Sequence, residues 1–456
     1  MIVFDAIAKA FNTVSGLGST VMVPVMFMIV ALVFGLNIGK SFKVGLTIGI
    51  GFIGLNLAIG LIWTFVTPAA AVLLERFGLN LAYVDGGWMT GSAIGFASPV
   101  GTFIIPFALL INVIMLWLKQ TKTLNVDIWN FWHYCFYGAI AYTITGSLIW
   151  GYIMAGVMAA LSLKFGDMGA KYIEKEMGIP GISVPQCFAA STIPIALALD
   201  KLYDKIPGIN KVKIDSTTLN EKLGVFGEPA TIGFILGLIL TIAAGYDVKG
   251  ILETSIGVGA LMLLMPRMVK ILMEGLIPLS QAASAFMQKR YKGREFYIGL
   301  DSAITLANPT TMVVGILLVP ITLLIALLPF NIVLPAGDLS AGAYYVCFFA
   351  IIHRGNFLRT LLSGTILMVA TYWLMSTFAP MINQLAINAG YVQAGATMGI
   401  SAGMNSVAGL LMVVLNFVGG NLGAILMLVV AVAMFVLCNL YMKKHENIKI
   451  DDSLNA

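Results

Sequence analysis

Charge is what this sequence has least of. Only 10% of its 456 residues are Asp, Glu, Lys or Arg, against about a quarter in soluble domains, and 59% are hydrophobic. The few charges are bunched, and apolar runs of roughly 20 residues, the length of a membrane-crossing helix, lie between the bunches. This excludes a soluble globular fold and predicts an all-α, polytopic membrane protein. Residues 379–418 hold no charge at all. The four cysteines, Cys135, Cys187, Cys347 and Cys438, have no metal-ligand spacing and sit among apolar neighbours, so they read as core. No Gly-x-x-x-x-Gly-Lys-Ser/Thr loop occurs, and no soluble stretch is long enough for a phosphoryl-bearing Cys or His domain. Phosphoryl chemistry, if any, must come from a partner, and no cofactor or metal is expected. Met1 to Lys9 does not read as the start of a cleaved signal. The net charge of +5 carries no nucleic-acid signal, because a lysine excess in such a chain marks cytoplasmic loops.

What is present in quantity is glycine, 48 residues, with 16 prolines. Both suit membrane helices that pack closely and sometimes break. Phe4, Ile7 and Phe11 make residues 1–17 an amphipathic leading segment. Eleven spans are expected: 19–36, 44–66, 101–118, two from the split of 129–163 near Thr143–Ser147, then 229–244, 251–265, 310–329, 341–352, 360–378 and 423–441. A polar connector, 164–222, carries an apolar insert at 178–199 and is expected near the cytoplasmic face. Residues 266–294 read as a basic amphipathic stretch, and 379–418 as a terminal loop.

Two stretches do not read as clean spans. Residues 81–100 are interrupted by Gly86, Gly87, Gly91, Gly95 and Pro99, and lipid-facing helices do not tolerate so many breaks. Residues 297–309 place a carboxylate and an amide before a proline. The two are related: Ser92-Ala-Ile-Gly-Phe-Ala-Ser-Pro99 and Ser302-Ala-Ile-Thr-Leu-Ala-Asn-Pro309 agree at five of eight positions, 210 residues apart. Ile48-Gly-Ile-Gly51 matches Ile256-Gly-Val-Gly259 at an offset of 208. His133-Tyr-Cys-Phe-Tyr-Gly-Ala-Ile140 matches Tyr345-Val-Cys-Phe-Phe-Ala-Ile-Ile352 at an offset of 212. Three ordered matches at a near-constant offset argue for an internal repeat. Both stretches are therefore expected to be re-entrant hairpins meeting near the membrane midplane. Repeats at 1–163 and 223–378, of five spans each plus one extra helix in 379–456, have opposite orientation because five is odd. Lysine-rich ends at 40–43, 119–122, 164–222, 267–294, 353–359 and 443–444 fall on one side, which is assigned to the cytoplasm. Inverted repeats with broken helices are a transporter's build, with the solute at their interface.

Ionisable and polar residues at membrane depth are the candidates for solute contact. Asp301 can accept two polyol hydroxyls, or cap the hairpin helix, or both. His133 can donate and accept. Gln186, after Pro185 in the apolar insert, offers two donors and two lone pairs or caps a helix end. Glu228 opens a span beside Pro229, where a carboxylate also suits a helix N-terminus. Asp85, Trp88 and Ser92 belong to the first hairpin and Asn308 to the second; Trp88 can stack on a sugar-like chain or mark the membrane interface. His353 and Arg354 read as an anchor or docking contact.

The Asp-Gly-Gly-Trp stretch at 85–88, Val-Pro-Gln at 184–186, Phe-Gly-Glu-Pro at 226–229 and Gly-Leu-Asp-Ser-Ala-Ile at 299–304, in this order, make the chain resemble the galactitol-type membrane (IIC) component of the bacterial phosphoenolpyruvate-dependent phosphotransferase system. That family is similar in architecture to the ascorbate-type IIC proteins. The resemblance implies a homodimer in the bacterial inner membrane, surrounded by lipid, with a scaffold of spans one, two, six and seven and a moving core holding both hairpins. It implies elevator-like uptake of galactitol or a related polyol, handed to a phosphorylated IIB protein, which the basic residues at 289–294 and 353–359 would steer. His133, Gln186 and Asp301 stand where the ascorbate type binds solute; Pro185 replaces a second histidine, consistent with a different solute. On this reading the chain is a transport subunit and not an enzyme. The rival reading is an ion-coupled secondary transporter with Asp301 as the proton or sodium site. A channel, or a membrane enzyme without a paired acid and base, fits less well.

Overall fold

A computed structural model describes residues 19–445, apart from 77, 79–80, 126, 128–129, 213, 216–223, 291–294, 391–396, 402 and 406. The leading segment 1–17 and the basic residues Lys292 and Arg294 lie outside the described residues. The fold is mostly helical, and among the described residues six helices are long and apolar enough to cross a bilayer. A seventh candidate is a pair of helices bent by 86°.

Helices α1 (Ser19–Val33) and α2 (Ile38–Leu61) occupy the first two expected spans. The chain then stays helical, through a π-turn at Ile62–Val66, into α3 (Thr67–Arg76). The second expected span, 44–66, is therefore continued by helix as far as Arg76, because Ala69, Ala70 and Leu73 carry a buried stripe onward. Strand β1 (Tyr83–Asp85) leads into α4 (Gly87–Ala97), and the chain bends before α5 (Ile104–Trp117). The bend falls at Pro99, as expected: proline cannot donate to a helix ladder.

Strand β2 (Thr123–Asn125) precedes α6 (Phe131–Thr145) and α7 (Leu148–Met177). The split of the long apolar stretch falls at Gly146, with φ 67°. Helix α7 does not end at Lys164. The Lys164 side chain is buried, its ammonium 4.9 Å from the Phe435 ring centroid, so this charge is covered by an aromatic face and the boundary drawn at 163 falls inside a helix. The apolar insert forms β3 (Ile182–Ser183), α8 (Cys187–Ala190) and α9 (Ile193–Tyr203). All residues from Ile182 to Ile193 are buried, which makes the insert part of the protein interior.

Helix α10 (Pro229–Ala244) matches its expected span. Helix α11 (Val248–Arg290) is 43 residues long and includes Pro266 and Pro278, where a span and a separate amphipathic stretch were expected. Met265, Leu272, Leu276 and Leu279 continue one buried stripe along it, and packing holds the helix through both prolines. Strand β4 (Tyr297–Gly299) and a 3₁₀ turn at Ser302–Ala307 lead to α12 (Pro309–Ala326). Strand β5 (Val333–Leu334), α13 (Gly342–Ile352), α14 (Phe357–Asn388), β6 (Met398–Gly399), α15 (Val407–Val418) and α16 (Gly420–His445) complete the order. Where residues 379–418 were expected as a loop, both ends of the stretch are helix. Buried Phe378, Ala379, Ile382, Leu385 and Ala386 carry α14 to Asn388, and α15 comes after it.

The strands form two parallel three-stranded sheets, ordered β5-β1-β6 and β2-β4-β3. The two broken segments therefore do not pair with each other. Each supplies the middle strand of its own sheet. Strand β1 lies between two strands from later in the chain, and β4 between two from earlier. Helices α1, α2, α11 and α10 pack closely in that order, each against the next. Helices α6 and α13, which carry the matching stretches 133–140 and 345–352, form the buried centre: every residue from Phe131 to Ala141 is buried, and all of α13 except Tyr344.

Close helix contact rests on glycine at α6 and α7. A Cβ on Gly138 would lie 2.8 Å from the Gly151 carbonyl oxygen, and one on Gly151 would lie 3.0 Å from that of Gly138. Gly138→Ala is expected to cost about 1–3 kcal/mol, the usual penalty of overpacking, seen as a lower melting temperature in detergent. Gly60→Ala, where the added carbon meets nothing within 4 Å, is the control and leaves the melt unchanged.

Candidate functional site

The β2-β4-β3 sheet is what brings distant polar residues together. Thr123 pairs with Tyr297 and Asn125 with Gly299, while Ile182 pairs with Ile298 and Ser183 with Gly299. Tyr297 N–H donates to the Lys122 carbonyl, and Leu300 N–H to that of Ser183, each at 2.9 Å. Asn112 clamps β2 from α5, donating to the Thr123 carbonyl at 2.8 Å and accepting from Asn125 N–H at 2.9 Å. Because the strands are parallel and in register, their C-terminal ends coincide. Asp301 comes two residues after the end of β4, and Gln186 three residues after the end of β3.

Asp301 caps the 3₁₀ turn, accepting from Ala303 N–H at 2.7 Å. Its other oxygen accepts from Gln186 Nε2 at 2.6 Å. Ser302 Oγ donates to Gln186 Oε1 in a short contact. Gln186 occupies the position before α8 but caps nothing there, which leaves its amide free to reach across. The capping role of Asp301 is thus present, one carboxylate oxygen is turned to a side chain, and Ser302 is an addition. A half-buried carboxylate is here joined through the buried Gln186 amide to the buried Ser302 hydroxyl. All three are groups that can exchange those bonds for solute hydroxyls.

His133 lies on α6 and is only 1% exposed. Its ring stacks on Trp132 with centroids 3.7 Å apart, and the Phe188 ring lies at 6.2 Å. Phe188 is two residues beyond Gln186, so His133 adjoins the same segment. Among the described residues neither ring nitrogen has a hydrogen-bond partner.

The first broken segment lies in the other sheet, and its acid is fully engaged there. Asp85 Oδ1 accepts from the N–H of Gly87 and of Ser401, both at 3.1 Å, and Oδ2 accepts from Ser401 Oγ at 2.7 Å and Asp338 N–H at 3.3 Å. Asp338 Oδ1 in turn accepts from Trp88 N–H at 3.1 Å. Asp85 thus ties β1 to the segments after β5 and β6. Trp88 is half-buried against the core and Ser92 is buried within α4; both stay with this sheet rather than with Asp301.

Asn308 caps α12, accepting from Thr311 N–H at 3.2 Å, and donates to Glu176 Oε1 at 3.4 Å. Glu228 is exposed at the start of α10 without a capping bond and is not joined to the group. His353 is buried; its Nδ1 lies 3.0 Å from Asp200 Oδ1 and its Nε2 2.9 Å from Ser363 Oγ. Arg359 pairs with Asp200 at 2.9 Å and Asp204 at 2.8 Å. Of the expected docking cluster at 353–359, Arg354 is the residue left exposed; the Arg359 charge is neutralised internally.

A family model described as "PTS system sugar-specific permease component" matches residues 13–399. The chain belongs to this family. A "Putative permease IIC component" of Escherichia coli K12 is 43% identical over 86% of this chain and 90% of its own length. A "PTS system galactitol-specific EIIC component" of the same strain is 42% identical over 85% of this chain and 86% of its own, and so is its counterpart from Escherichia coli O157:H7. As a IIC permease component the protein is a transport subunit and an integral protein of the inner membrane.

Sequence reading of this permease component missed Ser302, Asp338 and Ser401. Asp338 did leave a signal, being the one Asp, Glu, Lys or Arg between Asp301 and Arg354, but it falls in what reads as an outside loop. The structure separates two roles that composition merges. Asp85→Ala strips buried partners from Gly87, Ser401 and Asp338, at about 1–3 kcal/mol for each unsatisfied group; loss of the monodisperse peak on size exclusion is expected. Asp301→Asn, an isosteric change, should leave that peak and the melting temperature close to wild type.

Proposed function

We propose that this permease component takes up galactitol or a closely related polyol by alternating access and presents it to a phosphorylated IIB protein at the cytoplasmic face. The observation that carries this reading is the hydrogen-bonded group of buried Gln186 and Ser302 with half-buried Asp301 at the coincident ends of β3 and β4. Amide, carboxylate and hydroxyl together offer donors and acceptors but no cation, which suits a neutral, hydroxyl-rich solute. His133, stacked and unpaired beside Phe188, completes an aromatic and polar wall. Two relatives of 42% identity are named galactitol-specific, which points to galactitol among the polyols.

The transport cycle rests on the build we infer. The chain is read as two inverted repeats of five spans with one extra helix. The strand order supports this: β1, β2 and β3 stand to β4, β5 and β6 at offsets of 214, 210 and 216, counted from Tyr83 to Tyr297, Thr123 to Val333 and Ile182 to Met398. The continuous packing of α1 on α2, α2 on α11 and α11 on α10 supports a scaffold of spans one, two, six and seven. The sheets, α6 and α13 would then travel as the core, elevator-fashion, within a homodimer embedded in lipid. Asp301 and Gln186 ride with the core, while Glu228, Asp85, Trp88, Ser92 and Asn308 are assigned structural or peripheral parts. Trapping by phosphorylation makes uphill accumulation independent of a coupling ion.

Proteoliposomes test this directly. Galactitol should accumulate inside only when phosphorylated IIB is enclosed; accumulation driven by a proton or sodium gradient alone would favour the ion-coupled carrier and overturn the proposal. Asp301→Asn should weaken galactitol binding by roughly 10- to 100-fold, the weight of a hydrogen bond to a charged group. Unchanged affinity would remove Asp301 from the site.

A further inference from the structure

Asn405 was not among the residues singled out by sequence, and it lies in the charge-free stretch before α15. Its Nδ2 donates to the Phe188 carbonyl at 2.9 Å. Its Oδ1 is buried and, among the described residues, has no hydrogen-bond partner. A buried acceptor left unpaired costs about 1–3 kcal/mol, so its persistence asks for a ligand. Other buried polar atoms are also unpaired, among them His133 and Ser191 near the same segment; Asn405 is the one whose other amide atom is hydrogen-bonded to Phe188, two residues past Gln186.

Three contacts fix where Asn405 stands. Tyr137 Oη donates to the Gly403 carbonyl at 2.7 Å. Gly403 sits so close against Phe136 that an added Cβ would collide with the ring. His133, Phe136 and Tyr137 are spaced i, i+3 and i+4 and so share one face of α6. Residues 403–405 are thus pinned to the helix face that presents His133, and the Asn405 amide reaches Phe188, whose ring lies 6.2 Å from the imidazole. Residues 186 to 188 form the common edge. Gln186 meets Asp301 and Ser302 at one end, and Phe188 meets His133 and Asn405 at the other. The Cα atoms of Gln186 and Phe188, from which these two groups are reached, are at most about 7.6 Å apart, a span that a six-carbon chain can cover.

We propose that Asn405 contacts the solute: its side-chain oxygen accepts a hydroxyl at the end of the polyol remote from Asp301, the end at which His133 also lies. This rests on the polyol reading above. The residue also contributes to specificity, because an acceptor fixed by its own Nδ2 bond selects for a hydroxyl at one carbon.

Isothermal titration of the purified full-length protein with galactitol and its 1-, 2- and 3-deoxy analogues tests this. Asn405→Leu should weaken galactitol about tenfold, as expected for one lost hydrogen bond. One deoxy analogue should bind the variant and the wild type equally, since it lacks the hydroxyl that Asn405 accepts. Equal weakening towards all four compounds would reduce Asn405 to an anchor of Phe188, and unchanged galactitol affinity would remove it from the site; either result overturns the proposal. Should Asn405→Leu fail to fold, Asn405→Ser goes through the same cycle and is judged by the same analogue dependence. Asp301→Asn runs in parallel. Weakening by Asp301→Asn without any by Asn405→Leu sinks this inference alone, whereas no galactitol binding by the wild type takes the polyol reading down with it.

Discussion

The constraint on which this molecule turns is that a broken segment packed inside an apolar helical protein must find partners for the backbone groups it frees. Water is not there to supply them. The chain meets the demand with two small parallel sheets, β5-β1-β6 and β2-β4-β3, each closing around the middle strand of one broken segment. Side chains finish what the strands leave open. Asn112 brackets β2, and Asp85 gathers N–H groups from three separate segments. The same arrangement that satisfies the backbone also brings loop beginnings from remote parts of the chain to one place.

The candidate site is a consequence of that closure. Parallel, in-register strands end together, so the residues just past them are juxtaposed. At β2-β4-β3 those residues include Gln186 and Asp301, hydrogen-bonded to each other at 2.6 Å. At the other sheet Asp85 and Asp338 share Ser401 and are consumed in holding the segments. One sheet is saturated and the other keeps exchangeable groups, and this asymmetry supports placing the transported solute at the second.

Charge is handled in the same economical way elsewhere. Lys164 lies over Phe435, and Arg359 is held between Asp200 and Asp204. Residues that look like loop markers by composition are in these cases internal. This explains why α7 runs past its expected end, why α14 begins ahead of Arg359, and why the 353–359 cluster offers little free charge to a partner.

Much of the protein was legible in its sequence. Scarce charge and long apolar runs determined a helical membrane protein. Glycine and proline marked the break at Pro99 and the split at Gly146, because backbone geometry there depends on single residues. The ordered motifs, from Asp-Gly-Gly-Trp at 85–88 to Gly-Leu-Asp-Ser-Ala-Ile at 299–304, pointed to the family, and Asp301, Gln186 and His133 were visible as polar residues in apolar surroundings. Their partners were not. The pairing of Gln186 with Asp301 spans 115 residues and that of Ser401 with Asp85 spans 316, and no local pattern encodes a contact made only when strands align. Whether a buried acid is free to meet a solute or is used up in fastening the fold depends on how many donors surround it, and tertiary structure alone decides that number.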